Sequence, residues 1–492
     1  MEQANPQAVK PPLVVDLDGT LIKSDLLYES VFGLLRINPF YIFLLPVWLA
    51  KGRAHMKQMI AERVSIHVER LPWNTEFLDF LRAESQAGRH LVLATASNER
   101  YARAVNEHLG LFDLVLGSTA TRNLKGSKKL RAIQDLMGDE PFSYAADAPV
   151  DLNIWSAASS AVVVGAGQGL ADRAGQVTRL ERHFPATARQ VVGLGRAMRP
   201  HQWLKNLLIF VPLVLSHQIN NVELLLNALL GFIAFSLCAS SVYLLNDLLD
   251  LDSDRQHPTK CRRPFAAGEL SIPVGVAALV ALLLIAFAIA FSLPTYFVYV
   301  LAIYYAFTMA YSIWLKRAAL IDGLVLAGLY TMRLIAGAAA IDVRPTFWLL
   351  AFSIFIFLSL ALIKRYSELL HLHNASQEKL AGRAYRPVDQ ETLAQLGTAS
   401  GYLAVLVLAL YINGDTVTEQ YARPEALWFL CPMMLYWVSR MWLLTRRGEM
   451  HDDPVVFTVR DVRTWWLALI AGGALLVAIF WVQLRPFLPL PG

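Results

Sequence analysis

The second half of this chain is a succession of apolar runs, and few folds are open to such a chain. The runs lie near 206–217, 223–245, 272–292, 296–314, 319–341, 346–363, 396–412, 425–444 and 464–483. Against the ~20 apolar residues that a helix needs to cross a bilayer, they amount to about nine candidate spans, the first of them short. Inside hydrocarbon each segment must satisfy its own backbone polar groups. An all-α, polytopic membrane domain over 196–492 is therefore expected.

The loops between the runs alternate in charge. Those after the second, fourth, sixth and eighth runs carry Arg255, Lys260, Arg262 and Arg263; Lys316 and Arg317; Lys364, Arg365, Lys379, Arg383 and Arg386; and Arg446, Arg447 and Arg460. The opposite loops, such as Ser216–Asn221 and Ser292–Thr295, are almost uncharged. The bias of Lys and Arg toward the cytoplasm places the first set inside and the C-terminus outside. It also gathers the acidic positions on the inner side: Asn246 to Asp254, Asp322, and His451-Asp452-Asp453-Pro454 with Asp461.

Composition conceals a division. Of 492 residues, 55% are hydrophobic and 17% charged, which suits an integral membrane protein, yet the stretch from 1 to 190 reads as ordinary soluble protein. Two domains are expected, 1–190 and 196–492, joined by a Gly-rich stretch from Gly165 and a basic one holding Arg196, Arg199, Trp203 and Lys205. The net charge of +5 is modest, and no nucleic-acid partner is expected. Cys238, Cys261 and Cys431 lie far apart without metal-ligand spacing, so free thiols are expected. Met1-Glu2-Gln3-Ala4-Asn5-Pro6 lacks the basic and apolar regions of a cleavable signal, which predicts a cytoplasmic first domain.

The stretch richest in chemistry closes the second apolar run: Asn246-Asp247-Leu248-Leu249-Asp250-Leu251-Asp252-Ser253-Asp254-Arg255, then His257-Pro258, Lys260 and Arg262-Arg263-Pro264. On a helix Asn246, Asp250 and Asp254 share a face, with Asp247 beside them. Carboxylates gathered at the end of a membrane helix need a compensating cation. Mg2+ bridging a substrate diphosphate supplies one, since Mg2+ favours carboxylate and phosphate oxygens. The basic run is placed to take the remaining phosphate charge.

In the soluble half, Leu13-Val14-Val15 is a β-prone run leading into Asp16-Leu17-Asp18-Gly19-Thr20-Leu21. Two aspartates this close on a tight turn can work together on a phosphate, Asp16 as nucleophile and Asp18 as the acid that protonates the leaving oxygen. Leu91-Val92-Leu93-Ala94-Thr95 reads as a second strand ending in a hydroxyl. Lys125-Gly126-Ser127-Lys128-Lys129 and Tyr144-Ala145-Ala146-Asp147-Ala148-Pro149-Val150-Asp151 follow. Strands alternate with helical stretches, so a parallel α/β sheet is expected.

These stretches, in this order, closely resemble the four motifs of the haloacid dehalogenase (HAD) phosphohydrolase superfamily. The resemblance implies a Rossmannoid domain, a phosphate held by Thr95 and by Lys129 (with Lys128 the second choice by spacing), and Mg2+ held by Asp16, Asp18, Asp147 and Asp151. It also implies that the insert from Asp25 to about Trp73 is a helical cap. One position departs from the family: Ala146 stands where Gly is usual, adding a methyl beside the metal. Within the cap, the apolar run from Asn38 to Ala50 is too short and proline-interrupted to span a bilayer. It either lies on the membrane surface and admits a lipid-linked substrate, or packs on the domain core.

The membrane half resembles the UbiA-type intramembrane prenyltransferase superfamily through Asn246-Asp247-x-x-Asp250-x-x-x-Asp254. Its second acidic motif departs, since Asp322-Gly323 has no partnering aspartate a few residues on. Tyr311 and Lys316 precede it instead, and Arg333 lies within the next span. With Arg199-Pro200-His201-Gln202-Trp203-x-Lys205-Asn206 and His257-Pro258-x-Lys260-x-x-Arg263-Pro264, the pattern looks most like the decaprenyl-phosphate phosphoribosyltransferase branch. That resemblance implies Mg2+ and diphosphate at Asn246, Asp247, Asp250 and Asp254, with Asp322 completing the metal site or orienting a ribose. Lys205, Lys260, Arg263, Tyr311, Lys316 and Arg333 would face substrate. Lys364-Arg365-Tyr366 reads as a helix-end anchor, and His451-Asp452-Asp453-Pro454 either as a cap over the site or as a partner of the loop after the second run.

The expected function is a bifunctional membrane enzyme: phosphoribosyl transfer from phosphoribosyl diphosphate to a polyprenyl phosphate, followed by removal of the 5-phosphate by the HAD domain. An acceptor that is already an anion needs no strong base; it needs charge neutralisation, orientation and exclusion of water. A second reading is conventional prenyl transfer from a prenyl diphosphate to an aromatic acceptor. A third is a transporter or scaffold with a degenerate phosphatase head, which the clustering of charge at helix ends disfavours.

Overall fold

The computed structural model describes residues 10–186, 190–374, 384–414, 417, 421–450 and 453–484. Met1–Pro6, Lys379, Arg383, His451 and Asp452 lie outside the described residues. The chain forms two compact units, Met1–Arg199 with Tyr243–Ala281, and Pro200–Val242 with Leu282–Gly492.

The first unit is built on a six-stranded sheet: β1 (Leu13–Val15), β2 (Leu91–Asn98), β3 (Leu114–Ser118), β4 (Ser143–Ala146), β5 (Ser160–Ala166) and β6 (Arg179–Pro185). All pairings are parallel, in the order β3-β2-β1-β4-β5-β6. Parallel strands are covered on both faces, which is why β1 is an unbroken apolar run with no exposed residue. One face packs Leu13, Val15, Leu93 and Val162 against Phe77, Leu81 and Phe184. The other packs Val14, Val92, Tyr144 and Val163 against Ile133, Ile154 and Trp155. The strand order reverses between β1 and β4, and a doubly wound sheet opens a crevice at its carboxyl end at such a point.

The insert after β1 is a helical cap of α1 (Leu26–Ile37), a 3-10 turn (Pro39–Phe43), α2 (Leu44–Ala50) and α3 (Arg53–Ala61). Asp25 caps α1 by accepting from the backbone N–H groups of Leu27 and Tyr28. Leu34, Trp48, Ile60 and Val64 give the cap its own small core. Around the sheet lie α4 (Thr75–Gln86), α5 (Glu99–Leu109), α6 (Ser127–Met137), α7 (Leu152–Trp155) and α8 (Gln168–Val177), followed by α9 (Gln190–Ala197). The methyl of Ala146 is fully buried among Val14, Val92 and Val163, so it is part of the sheet core.

The helices that follow are α10 (Val211–Leu215), α11 (Val222–Leu249), α12 (Leu251–Gln256), α13 (Ile272–Ala290), α14 (Thr295–Ile313), α15 (Ile321–Ala340), α16 (Phe347–Asn374), α17 (Gln390–Ile412), α18 (Leu430–Arg446), α19 (Pro454–Arg460) and α20 (Val462–Leu484). Among the described residues, eight helices are long and apolar enough to cross a membrane. The chain is an integral membrane protein. The first apolar run takes another form, an eleven-residue 3-10 helix (Pro200–Phe210) continued by the five residues of α10. Winding at ~2.0 Å per residue and then ~1.5 Å, it reaches about 30 Å, close to the hydrocarbon thickness of a bilayer. It lies tightly on α15, where a Cβ on Gly337 would come 2.0 Å from the carbonyl oxygen of Ile209.

Candidate functional site

In the first unit the turns after β1 and β4 meet at the carboxyl end of the sheet. Gly19 permits this: its φ is +79°, and a Cβ there would fall 2.2 Å from Asp147 Oδ2. Asp16 Oδ1 accepts from the Leu17 N–H at 2.8 Å, and the buried Lys129 ammonium lies 2.7 Å from Asp16 Oδ2. Lys128 is exposed. Lys129 also donates to the Tyr144 hydroxyl (3.1 Å), which donates to Asp151 Oδ1 (3.2 Å). Thr20 donates to Asp147 Oδ1 at 3.2 Å.

Asp16, Asp147 and Asp151 bring carboxylate oxygens within 4.8 Å of one another. Burial, reinforced by the charge of Asp16, pushes the carboxyl of Asp147 up to about 8 and that of Asp151 up to about 6. An all-oxygen trio under this strain fits a hard divalent cation such as Mg2+. Asp18 stands outside the trio. Its Oδ1 accepts from the Leu26 N–H (2.8 Å), and its Oδ2 from the hydroxyls of Ser97 (2.7 Å) and Thr95 (3.3 Å). Burial, with Asp25 nearby, raises it to about 7, so it holds a proton near neutrality. The cap contributes Lys57, whose ammonium donates to the Ala96 carbonyl (2.5 Å) and to Asn123 Oδ1 (2.9 Å). Nothing in its local sequence marks Lys57.

The acidic stretch ends α11 and forms α12. Asp247 is buried; its Oδ1 accepts from Arg199 and from Arg263 (3.1 Å), while its Oδ2 has no hydrogen-bond partner among the described residues. Arg263 also donates to Asp254 Oδ2 at 2.6 Å. Arg199 packs its guanidinium 5.2 Å from the Tyr243 ring and holds a φ of 54°, uncommon for a residue with a side chain. Asn246 and Asp250 are half-buried and Lys260 is exposed. Among the described residues only Asp16, Asp147 and Asp151 form a metal-sized trio. The buried Asp247 and Asp254 are instead paired with arginines, as buried carboxylates require. The orphan Oδ2 of Asp247 is the feature here that fits a cation.

The second unit holds two polar clusters. Asp322, fully buried, is gripped by Arg365, whose Nε donates to Oδ2 and whose Nη2 donates to Oδ1 at 3.2 Å; the Tyr311 hydroxyl donates to Oδ1 at 2.7 Å. In the other cluster, Lys205 and Lys364 each place an ammonium 2.8 Å from Asp453 Oδ2. Asp453 caps α19 by accepting from the Val455 N–H at 3.1 Å. Burial pushes its carboxyl up, but Lys364 and Lys205 outweigh that and hold it well below the usual range. Arg333 donates to Asn206 Oδ1 (2.8 Å) and the Leu329 carbonyl (2.6 Å), and Asn206 donates to Ser236 (2.8 Å). The rings of Phe235, Tyr304 and Tyr330 lie 5.4, 5.6 and 5.1 Å from its guanidinium. Lys205 lies 5.7 Å from the same Tyr330 ring. Arg333 meets no carboxylate among the described residues. Lys316 sits half-buried on the 3-10 turn Leu315–Arg317.

Beside these groups lies an apolar cavity of about 480 Å³, lined by Leu208, Leu334, Phe357, Leu360 and Trp437. A second of about 410 Å³ shares Val211, Leu349, Phe352, Leu408 and Leu430 with it. Phe357 stacks on Tyr330 at 5.2 Å, which joins the apolar space to the cationic cluster.

The profile of the UbiA prenyltransferase family matches residues 207–457, just over half of the chain. The chain belongs to the UbiA prenyltransferase family. Residues 13–154 match haloacid dehalogenase-like hydrolases, so the UbiA half follows a HAD-like domain. The uncharacterized protein y4nM of Sinorhizobium fredii is 36% identical over 473 residues, covering 96% of this chain and 91% of that one. The decaprenyl-phosphate phosphoribosyltransferase of Mycobacterium tuberculosis is 37% identical over 287 residues, 57% of this chain and 92% of that enzyme. Among solved structures, a UbiA homolog from Archaeoglobus fulgidus bound to GPP and Mg2+ is similar at a TM-score of 0.45, with 15% identity over 57% of this chain and 99% of its own.

The geometry of the UbiA half corrects the reading of Lys364-Arg365-Tyr366 as a helix-end anchor. Arg365 is 1% exposed and locked to Asp322, and Lys364 meets Asp453. A guanidinium at the end of an apolar run turns inward when a buried carboxylate waits there, because leaving either group unpaired is costly. Arg199, Lys364, Arg365 and Asp453 were each visible as charged residues near a run end, but no local spacing marks their pairings.

Proposed function

We propose that the UbiA half transfers a phosphoribosyl group from phosphoribosyl diphosphate to a polyprenyl phosphate, releasing diphosphate, and that the HAD-like domain removes the 5-phosphate from the lipid product. The observation that carries the transfer is the cationic cluster of Arg333, Lys205 and Lys364, which has one carboxylate, Asp453, among its described contacts. Cations so short of negative charge in a low-dielectric setting favour a ligand that brings a phosphate. The adjoining apolar cavities suit an isoprenoid tail. The similarity to a decaprenyl-phosphate phosphoribosyltransferase over nearly its whole length supports the same reading.

In this reading the bond from the anomeric carbon to the diphosphate oxygen breaks, and a bond from that carbon to an acceptor phosphate oxygen forms. No proton has to move. Asn246, Asp247, Asp250 and Asp254 would hold Mg2+, which supplies positive charge for the departing diphosphate. Arg199, Lys260 and Arg263 add charge to the same end. Tyr311, Lys316 and Asp322 are the candidates for the ribose and its phosphate.

On the HAD side Asp16 attacks the phosphorus of the 5-phosphate, and Asp18 gives its proton to the departing ribose oxygen. Water then attacks the aspartyl phosphate, Asp18 takes the proton back, and inorganic phosphate leaves. Lys129 offsets charge beside Asp16, and Asp16, Asp147 and Asp151 would hold Mg2+. The loop charges support a cytoplasmic face for both sites in this reading, and the tether would raise the local concentration of the intermediate.

The test is a product assay on the full chain in lipid with Mg2+, polyprenyl phosphate and radiolabelled phosphoribosyl diphosphate, run beside a prenyl diphosphate with an aromatic acid. Label entering the lipid phase supports phosphoribosyl transfer. A prenylated aromatic instead overturns it.

A further inference from the structure

From Asn38 to Ala50 the cap contains no charged residue. Tyr41, Leu45 and Trp48 recur at helical spacing and turn inward onto Leu34, Ile60 and Val64. The opposite face of such a segment is ordinarily polar. Here it exposes Phe40, Phe43, Leu44 and Val47 at the same spacing, with Phe43 72% exposed, and Ile37 and Ile42 stand beside them. A contiguous bare apolar face of this kind marks an interaction site.

Two further observations identify what covers it. Arg36 precedes the segment and Lys51 and Arg53 follow it, the flanking expected where anionic headgroups lie. The cap is also tied, within its own unit, to the end of a membrane span. Glu29 of α1 pairs with Arg255 of α12, and Arg70 and His67 meet Asp252. The cavity beside these pairs, about 270 Å³, is lined by Arg36 and Ile37 from the cap and by Leu248 and Leu249 from α11. Leu249 is the last residue of that span, so the apolar segment starts beside the end of a membrane-spanning helix.

We propose that the segment from Pro39 to Ala50 lies in the membrane interface, with Phe40, Phe43 and Val47 among the acyl chains and Arg36, Lys51 and Arg53 at the headgroups. The HAD site then opens onto a phosphate whose carrier is a lipid anchored in the same leaflet; the choice of substrate rests on the phosphatase reading above, whereas the docking does not.

The experiment uses the full chain in nanodiscs of phosphatidylcholine and phosphatidylglycerol. Phe43→Cys in a Cys261→Ser background carries a nitrobenzoxadiazole label, Cys238 and Cys431 being buried. Quenching by spin-labelled lipid with protection from iodide is expected. Quenching by iodide alone, or label-to-label pairing between two copies, overturns the docking. In a second arm, Phe40→Ser with Phe43→Ser and Val47→Ser should slow hydrolysis of the phosphoribosyl lipid by roughly 10-fold through lost orientation, with turnover of p-nitrophenyl phosphate unchanged. Lipid quenching without that selective loss overturns the role in presenting substrate. A wild-type chain that cleaves p-nitrophenyl phosphate but never the phosphoribosyl lipid overturns the phosphatase reading and leaves the docking standing.

Discussion

Glu29 and Arg255 face each other as a two-pronged ion pair, Nη1 to Oε2 at 2.9 Å and Nη2 to Oε1 at 2.7 Å, with each side chain 7% exposed. It joins the first turn of the cap to the last turn of α12, directly after the acidic stretch. Removing one member leaves the other charged and buried, at a cost of about 3–5 kcal/mol. Glu29→Ala should therefore lower the thermal midpoint of the full chain and speed amide exchange across α1 to α3. Replacing both members with apolar residues, Glu29→Leu with Arg255→Met, should recover most of the loss. A single alanine variant as stable as the wild type would show that the pair contributes nothing.

The Arg365 fork on Asp322 makes a second prediction. Lysine cannot reproduce two parallel bonds. Arg365→Lys and Asp322→Asn should each cut transfer activity by roughly 10-fold or more, the value of about one charge-assisted hydrogen bond. Pairing Asp322→Ala with Arg365→Leu should restore thermal stability but not activity. Activity that survives in the double variant would remove Asp322 from the site.

Lys205 and Lys364 share one carboxylate, and that carboxylate competes with any phosphate that approaches them. Lys364→Ala and Arg333→Lys should raise KM for polyprenyl phosphate by about 10-fold and leave KM for phosphoribosyl diphosphate nearly unchanged. Asp453→Asn should move KM for the lipid the other way. Steady-state kinetics with each substrate varied in turn checks both directions, and equal shifts for the two substrates would argue against an acceptor site.

Crowding of Asp16, Asp147 and Asp151 predicts a metal signature readable without turnover. Mg2+ should raise the thermal midpoint of the HAD-like domain over its value in EDTA. Asp147→Asn should raise the midpoint in EDTA at neutral pH, because folding obliges Asp147, pushed up to about 8, to take up a proton that the unfolded chain does not hold, and it should abolish the Mg2+ increment. Calorimetry of the full chain decides this; an undiminished increment would place the metal elsewhere.

Two small residues beside that trio should respond in opposite ways. Gly19→Ala forces a methyl into Asp147 and strains a positive φ, so phosphatase activity should fall by at least about 10-fold. Ala146→Gly removes a methyl that only packs the core, and should cost ~1 kcal/mol of stability with activity kept. The reverse ranking of the two variants in a p-nitrophenyl phosphate assay would refute this account of the turn.

Sequence alone determined the features set by local chemistry. Uninterrupted apolar stretches had to become spanning helices, because a backbone in hydrocarbon satisfies itself only within a helix. The β1 run buried on both faces, the Asp16-to-Thr20 turn that needs Gly19, and the alternation of loop charge were legible for the same reason: each depends on neighbours a few residues away. The first apolar run showed as short, but its 3-10 winding and its close seat on Gly337 of α15, a helix far along the chain, were not legible.

Tertiary structure alone decided which polar and charged groups meet. Glu29 and Arg255 are 226 residues apart, Arg333 and Asn206 127, and Arg365 and Asp322 43. Whether such groups touch depends on how each helix is rotated about its axis, and helix rotation is set by packing against partners distant in sequence. Arg365 looked like a surface anchor and Asp322 like an open ligand for that reason; once the helices pack, the cost of a buried unpaired charge drives them together.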